Sequence, residues 1–279
     1  MSDVPLPGLA PFRLEIDEGR LDAFPTRSPW QSETSAPRVV SGWIAGDTRT
    51  VCCVGEAGRY AVGVAGIGAF SVDTDGSCIA CNRWDCGGPT ERFEEVLLGP
   101  PLALLLAGYD SWCLHASAVL YRGRALLFLG PSGRGKSTLA AHFAEREGLE
   151  RLADDILPCT FVDAVPSANP YFPQLKLPAA AQYRLQAPES VPIGALIFLG
   201  PVPKDGPVVM DTLEPRAAIK ELVEQTVAVG LFDRWLHVRH LRFMAHLIAS
   251  VPAFSLRYPH DYARLAEVSD AIIERIDHG

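Results

Sequence analysis

No apolar run in this chain approaches the roughly 20 residues that a helix needs to span a bilayer, so no membrane-spanning helix is expected. The opening Met1-Ser-Asp-Val-Pro-Leu-Pro7 lacks a basic stretch followed by an apolar core, and no secretory signal is read there. Positive charge is in deficit: 25 Lys and Arg stand against 33 Asp and Glu, a net charge of −8. Such a balance argues against a broad nucleic-acid footprint and against attraction to an anionic membrane surface. Internal repeats and low-complexity tracts are missing. So is a disulfide framework. The seven cysteines, Cys52, Cys53, Cys78, Cys81, Cys86, Cys113 and Cys159, are odd in number and irregular in spacing, the usage of free thiols in a reducing compartment. Cys78, Cys81 and Cys86 form the one group that hints at metal. Three thiolates without a nearby histidine fall short of the four ligands of a structural zinc site. What remains is an ordinary globular composition, 48% hydrophobic and 21% charged over 279 residues, enough for one large domain or two smaller ones.

Along the chain, residues 1–38 are rich in proline, serine and charge and are expected to be irregular. Residues 39–89 change character to short β-type runs between glycines, a small β-rich domain. Strands are expected at Val39–Ile44, Thr50–Val54 and Tyr60–Val64. A hairpin is expected from Ala69–Val72 and Ser77–Ala80 around Asp73–Gly76. Thr90–Leu106 reads as helical, broken in two by Pro100-Pro101. It opens a second domain over 90–279, with the boundary near Gly87–Pro89 or within this helical connector. Trp112–Leu120 and Arg124–Leu129 are apolar strands joined around Arg122-Gly123, an antiparallel hairpin. Then come a helix over Lys136–Glu147, a short strand over Leu149–Ala153, another over Cys159–Val162, and a proline-punctuated loop from Pro166 to Pro178. Strands at Gly194–Leu199 and Val208–Met210 precede a helix over Glu214–Val229 with Pro215 in its first turn. A helix over Leu236–Val251, a strand at Phe254–Tyr258 and a helix over Asp261–Ile276 complete an α/β reading with a mixed sheet.

The chemistry concentrates at Gly130, Pro131, Ser132, Gly133, Arg134, Gly135, Lys136, Ser137 and Thr138, which satisfy Gly-x4-Gly-Lys-Ser/Thr between a strand and a helix. Glycines let backbone N–H groups turn inward and cradle phosphate oxygens at a helix N-terminus. Lys136 reaches the β- and γ-phosphates and the Ser137 hydroxyl can sit on Mg²⁺. A nucleoside triphosphate site is expected. Usually the strand of such a loop belongs to a parallel sheet built by helical crossovers. Here its predecessor returns antiparallel and carries His115, a candidate for contact with phosphate or acceptor. Asp154 and Asp155 lie 18 and 19 residues after Lys136. That distance fits one helix plus a strand beside the loop strand, so the pair should emerge at the phosphate edge. Consecutive strand residues face opposite ways, so one aspartate is assigned to Mg²⁺ with Ser137 and the other to the acceptor hydroxyl as general base. His237 and His240 have a helical spacing that metal sites use, but with no third ligand in view they read as a solvated face. Arg216 and Arg257 are further candidate phosphate or substrate contacts.

The run Leu114-His-Ala-Ser-Ala-Val119, the loop with its flanks from Gly123 to Ala140, and Leu152-Ala-Asp-Asp155 together cover about 45 residues and resemble the catalytic core of HPr kinase/phosphorylase. Pro173–Leu177 and Val251–Pro259 are similar to HPr-kinase-related proteins that include lasso-peptide kinases. The resemblance implies a P-loop domain of the phosphoenolpyruvate carboxykinase type. It also implies Lys136 and Ser137 on nucleotide and Mg²⁺, Asp154 as base toward a serine hydroxyl, Asp155 nearer the metal and His115 in the active site. Two departures bear on the substrate. Glu214–Ile219 stands where HPr kinases carry a Gly-Arg-Asn helix start and does not match it. The β-rich N-terminal segment does not resemble their usual regulatory domain. HPr itself is therefore not the expected acceptor, and phosphorylase activity is not implied.

The sequence thus leads to an ATP- and Mg²⁺-dependent serine kinase in the cytoplasm, where ATP is available, with a serine-bearing peptide or small protein as partner and no nucleic acid or membrane. A homo-oligomer is compatible with it. A kinase for a small hydroxylated metabolite such as free serine stands as the alternative, as does a non-catalytic ATP-binding switch. A pure switch has little need for a second carboxylate beside the metal ligand.

Overall fold

The computed structural model of the chain describes residues 13–17, 36–44, 46–75, 77–83, 90–170, 172, 189–201 and 205–278. The segment containing Cys86 and Gly87–Pro89, and that containing Gln174–Leu177, lie outside the described residues. The chain divides into two units, one from residues up to Trp112 together with Val227–Leu241, the other from Cys113–Thr226 together with Arg242–Gly279.

The first unit is built on six strands: β1 (Arg13–Asp17), β2 (Arg38–Ile44), β3 (Asp47–Glu56), β4 (Arg59–Val64), β5 (Gly68–Asp73) and β6 (Cys78–Arg83). Their order is β1-β6-β5-β4-β3-β2. From β2 to β6 each strand pairs antiparallel with the next, and β1 pairs parallel with β6. Most of residues 1–35 are outside the described set, but Arg13–Asp17 is a strand where proline and charge suggested irregular chain. Tyr60, Val62 and Val64 on β4 and Phe70 and Val72 on β5 are fully or almost fully buried. Each such side chain contributes about 1.5–3 kcal/mol by leaving water. Helix α1 (Thr90–Leu98) ends at Gly99 and α2 (Pro100–Gly108) begins on the two prolines, which lack N–H groups and are tolerated in a first turn. Residues 101–107 of α2 are all buried. In the same unit the buried Asp233 carboxylate accepts from Ala57 N at 2.9 Å, Tyr60 Oη at 3.0 Å and Leu236 N at 2.8 Å.

The second unit holds a seven-stranded sheet formed by β7 (Trp112–Tyr121), β8 (Arg124–Leu129), β9 (Glu150–Val162), β10 (Val165–Ala168), β11 (Val191–Leu199), β12 (Val209–Thr212) and β13 (Ala253–Arg257). The order is β10-β9-β7-β8-β11-β13-β12. β7 returns antiparallel to β8, while β8, β11 and β13 are mutually parallel neighbours, so the sheet is mixed. Arg122 and Gly123, both at positive φ (47° and 75°), make the β7–β8 turn whose twist suits a two-residue hairpin. Its helices are α3 (Lys136–Glu147), α4 (Pro215–Glu224), α5 (Arg234–Ser250, whose first half belongs to the first unit) and α6 (Leu265–His278). Leu139 and Phe143 of α3 and Val268 and Ile272 of α6 join Leu126, Phe128, Ile197 and Leu256 of the strands in one buried cluster. The carboxyl ends of β8, β11 and β13 thereby share one sheet edge. Among the described residues no helix is long and apolar enough to cross a membrane.

Three elements besides β1 differ from the sequence reading. β10 (Val165–Ala168) is a strand where a loop was expected from Pro166, held by antiparallel pairing to β9. The expected short strands at Leu149–Ala153 and Cys159–Val162 are one strand, β9, and the Asp-Asp pair sits inside it rather than at its end. β9 also neighbours β7, not the loop strand β8. The helix expected over Glu214–Val229 stops at Glu224. Gln225 then gives its carbonyl to His115 N at 2.7 Å and Thr226 bridges Leu114, so pairing to β7 wins over helix continuation.

Candidate active site

The glycine-rich loop leaves β8 at its carboxyl end and feeds directly into α3. Gly135 holds φ +87° at the N-cap, and the first helical bond runs from Leu139 N to Gly135 O at 2.8 Å. A Cβ on Gly135 would meet Tyr258 Oη at 2.9 Å, so backbone conformation and close approach both call for glycine. Lys136 is buried, and its Nζ donates to the carbonyls of Gly130 at 2.6 Å and Pro131 at 3.3 Å. The ammonium therefore lies over the loop's own concavity. Ser137 and Thr138 are exposed in the first turn of α3.

Facing the loop is a cavity of about 420 Å³ lined by Ser132, Gly133, Gly135, Lys136, Ser137 and Thr138 together with His115, Ser117, Asp154 and Asp155. Gly130, Pro131 and Arg134 do not line it; they act through their carbonyls. Asp154 is 6% exposed. Its Oδ1 accepts from the buried Ser117 Oγ at 2.7 Å, and its Oδ2 is ion-paired with Arg151 at 2.7 Å. Asp155 is half-buried, with Oδ1 3.0 Å from His115 Nε2. His115 and Ser117 are two apart on β7 and so share a face. Each takes one of the consecutive aspartates, and both carboxylates line the same cavity. The alternation argument expected them to point apart; their partners on β7 bring them together.

The opposite wall comes from the chain after β13: Tyr258, His260, Asp261, Tyr262 and Leu265. His260 Nε2 lies 3.1 Å and Tyr258 Oη 3.5 Å from the carbonyl of Arg134. Burial pushes the Tyr258 hydroxyl up to about 12, which keeps it a neutral donor. Sequence reasoning placed none of these residues in the site; the parallel placement of β8, β11 and β13 decides it, and no local motif encodes that register. Ser117 is also new to the site, although strand alternation from His115 puts it on the same face.

The remaining candidates lie elsewhere. Arg216 is exposed, Arg257 pairs with Asp211 at 2.8 Å, and neither lines the cavity. His237 is exposed as expected of a solvated face, but His240 is 1% exposed and packs on Trp112 (ring centroids 5.0 Å apart) and Phe232 (5.5 Å). The solvated reading fails for His240 because it occupies the buried stripe of α5, four residues from both Leu236 and Met244, which are buried. Burial, then the charge of His237, lowers its pKa to about 4. The six described cysteines are free thiols, and burial raises Cys53 to about 11 and Cys81 to about 12. Among the described residues no group of three or more His, Cys, Asp or Glu is gathered that could hold a metal ion.

No family model matches the chain, and no curated protein matches it closely enough to count as a relative. Among solved structures, that of the HPr(Ser) kinase/phosphatase from Coxiella burnetii is similar to it over 58% of this chain and 95% of that one. The identity is 12% and the TM-score 0.33, too distant to carry an argument about activity.

Proposed function

We propose that the chain is an ATP- and Mg²⁺-dependent serine kinase with an HPr-kinase-like P-loop core, transferring the γ-phosphate to a serine hydroxyl of a peptide or small protein. One observation carries the reading: the loop with Lys136 and two differently partnered carboxylates line a single cavity. At about 420 Å³ that cavity falls within the range of small-molecule sites. The resemblance of the Leu114–Val119, Gly123–Ala140 and Leu152–Asp155 segments to HPr kinases supports the same reading. The cytoplasm as its compartment and 90–279 as the kinase domain belong to it.

In this reading the loop N–H groups and Lys136 neutralise and orient the phosphates. The acceptor hydroxyl oxygen bonds to the γ-phosphorus, the bond from that phosphorus to the β–γ bridging oxygen breaks, and ADP leaves. The hydroxyl proton passes to Asp154. Ser117 and Arg151 hold Asp154 in place for that transfer. Ser137 and Asp155 would hold Mg²⁺, and His115 orients Asp155 as an outer partner orients a metal ligand. Their oxygens suit a hard cation, and Mg²⁺ typically takes only one or two protein carboxylates besides phosphate. When bound, the ion spreads the charge that develops on the phosphate oxygens.

The test is transfer from γ-labelled ATP to serine peptides and to free serine. Lys136→Ala should abolish transfer. Asp154→Asn should keep ATP binding and lose transfer by about 10²–10⁴-fold. Full activity in Lys136→Ala would sink the phosphate-loop assignment, and labelling of free serine alone would move the acceptor to the metabolite class.

A further inference from the structure

The geometry points to a nucleoside subsite at the carboxyl end of β13, where Tyr262, with His260 and Leu265 beside it, takes the base of the nucleotide whose phosphates the Gly130–Thr138 loop holds. The inference rests on the reading above, on both its phosphate loop and its Asp154 base, and adds to it a direction and a set of residues.

Sheet order sets the direction. β9 and β7 lie on one side of β8, and β11 and β13 lie on the other. The glycine-rich loop at the end of β8 therefore has the carboxylate wall on one flank and the Tyr258–Leu265 wall on the other, within one cavity. A triphosphate is a linear chain. Its γ end must meet the group that takes the acceptor proton, so the γ-phosphate faces Asp154 and the nucleoside leaves toward β13. The two walls differ in chemistry as that orientation requires. Ser117, Asp154 and Asp155 carry no ring or aliphatic face for a flat aromatic base, and the imidazole of His115 is engaged by Asp155 at 3.0 Å. The opposite wall offers an aromatic ring and an aliphatic side chain.

Tyr262 is the most telling residue. It is 73% exposed although it lines the cavity, the largest exposure among the large apolar side chains described. An aromatic face open at the rim of a phosphate-binding cavity is what base stacking uses. Its position is fixed rather than incidental. Tyr262–Arg264 is a 3₁₀ turn capped by Asp261, whose Oδ1 accepts from Ala263 N at 2.9 Å. Leu265 next to it is 3% exposed and anchored in the core cluster. Upstream, His260 and Tyr258 tie the segment to the carbonyl of Arg134 in the loop itself. The base platform and the phosphate cradle are thus held at a set distance from each other.

The experiment is calorimetric titration of the full chain with Mg–ATP and, separately, with Mg–tripolyphosphate, which has the phosphates and no base. Tyr262→Ala should weaken Mg–ATP about tenfold, the effect of losing one base–aromatic stack, and leave Mg–tripolyphosphate unchanged. Tyr262→Phe should bind Mg–ATP within about twofold of the parent, since stacking needs the ring and not the hydroxyl. Unchanged Mg–ATP affinity in Tyr262→Ala overturns the subsite, as does an equal loss for both ligands, which would place Tyr262 in loop geometry instead. Lys136→Ala separates the two levels. It should lose both ligands, and if it retains tripolyphosphate the phosphate-loop reading fails whatever Tyr262 does.

Discussion

Replacing Gly135 by alanine probes the seat of the glycine-rich loop directly. At φ +87° an alanine sits in left-handed backbone, at a cost of about 1–2 kcal/mol. Its Cβ would also stand 2.9 Å from Tyr258 Oη, below the 3.4 Å of ordinary contact. Moving the tyrosine off its rotamer to open that gap costs about 0.5–1.5 kcal/mol more. Together the strain is about 1.5–3.5 kcal/mol. If binding requires the native loop, affinity for Mg–ATP falls on the order of 100-fold. The double variant Gly135→Ala/Tyr258→Phe removes the colliding oxygen and should recover only the contact part, about 2–10-fold. Calorimetric titration of parent, both single variants and the double variant gives the coupling, and thermal melts show whether the fold is intact. Affinity within twofold of the parent for Gly135→Ala would refute the claim that this backbone conformation is needed. Absence of recovery in the double variant would refute the claim that Tyr258 is the obstacle.

Ser117→Ala deletes a buried hydrogen bond to a carboxylate, a loss of about 1.5–3 kcal/mol, so the melting temperature should fall. Turnover should fall with little change in the KM for ATP, and Ser117→Thr should restore part of it; an equal loss in ATP binding would count against Ser117 as the residue that positions Asp154. His240 gives a pH dependence. Its folded pKa of about 4 lies below the ordinary 6.5, so the stability it confers is complete above pH 6.5 and is lost as pH falls toward 4. The loss amounts to about 3 kcal/mol. Urea unfolding followed by tryptophan fluorescence, with Trp112 packed against the ring at a tilt of 48°, should show that slope in the parent and not in His240→Leu.

Local chemistry was readable and long-range register was not. Pro100-Pro101, the Arg122-Gly123 turn and the Gly130–Thr138 loop each impose a backbone state through their own residues, and the structure places those elements where the sequence put them. β9 was misread as two strands because Asp154, Asp155 and Pro158 interrupt any apolar alternation. Its partners hold it extended, with β10 pairing at Cys159–Val162. The end of α4 was misread because Val227 and Val229 continue its pattern, while the competing bonds to Leu114 and His115 come from a strand more than 100 residues earlier. For His240 the solvated reading rests on the missing third ligand and leaves out its neighbours at i−4 and i+4, the buried Leu236 and Met244. Of the site, the loop, His115 and the two aspartates were legible. The Tyr258–Leu265 wall was not, since it reaches the loop only through tertiary packing, whereas Ser117 could have been found by strand alternation from His115.

The hydrogen bond from Tyr258 to the carbonyl of Arg134 joins residues 124 apart in sequence. A chain emerging from a ribosome makes the β7–β8 hairpin, the loop and α3 from contiguous residues, which is fast and local. The brace arrives only after β11, α4 and α5 have been made and β13 has docked beside β11. Loop, lysine and both carboxylates therefore exist for some time before the part that seats them. On the nucleotide reading proposed above, competence to bind would come late in the synthesis of this unit, and it should be lost early when the C-terminal strand and helix detach.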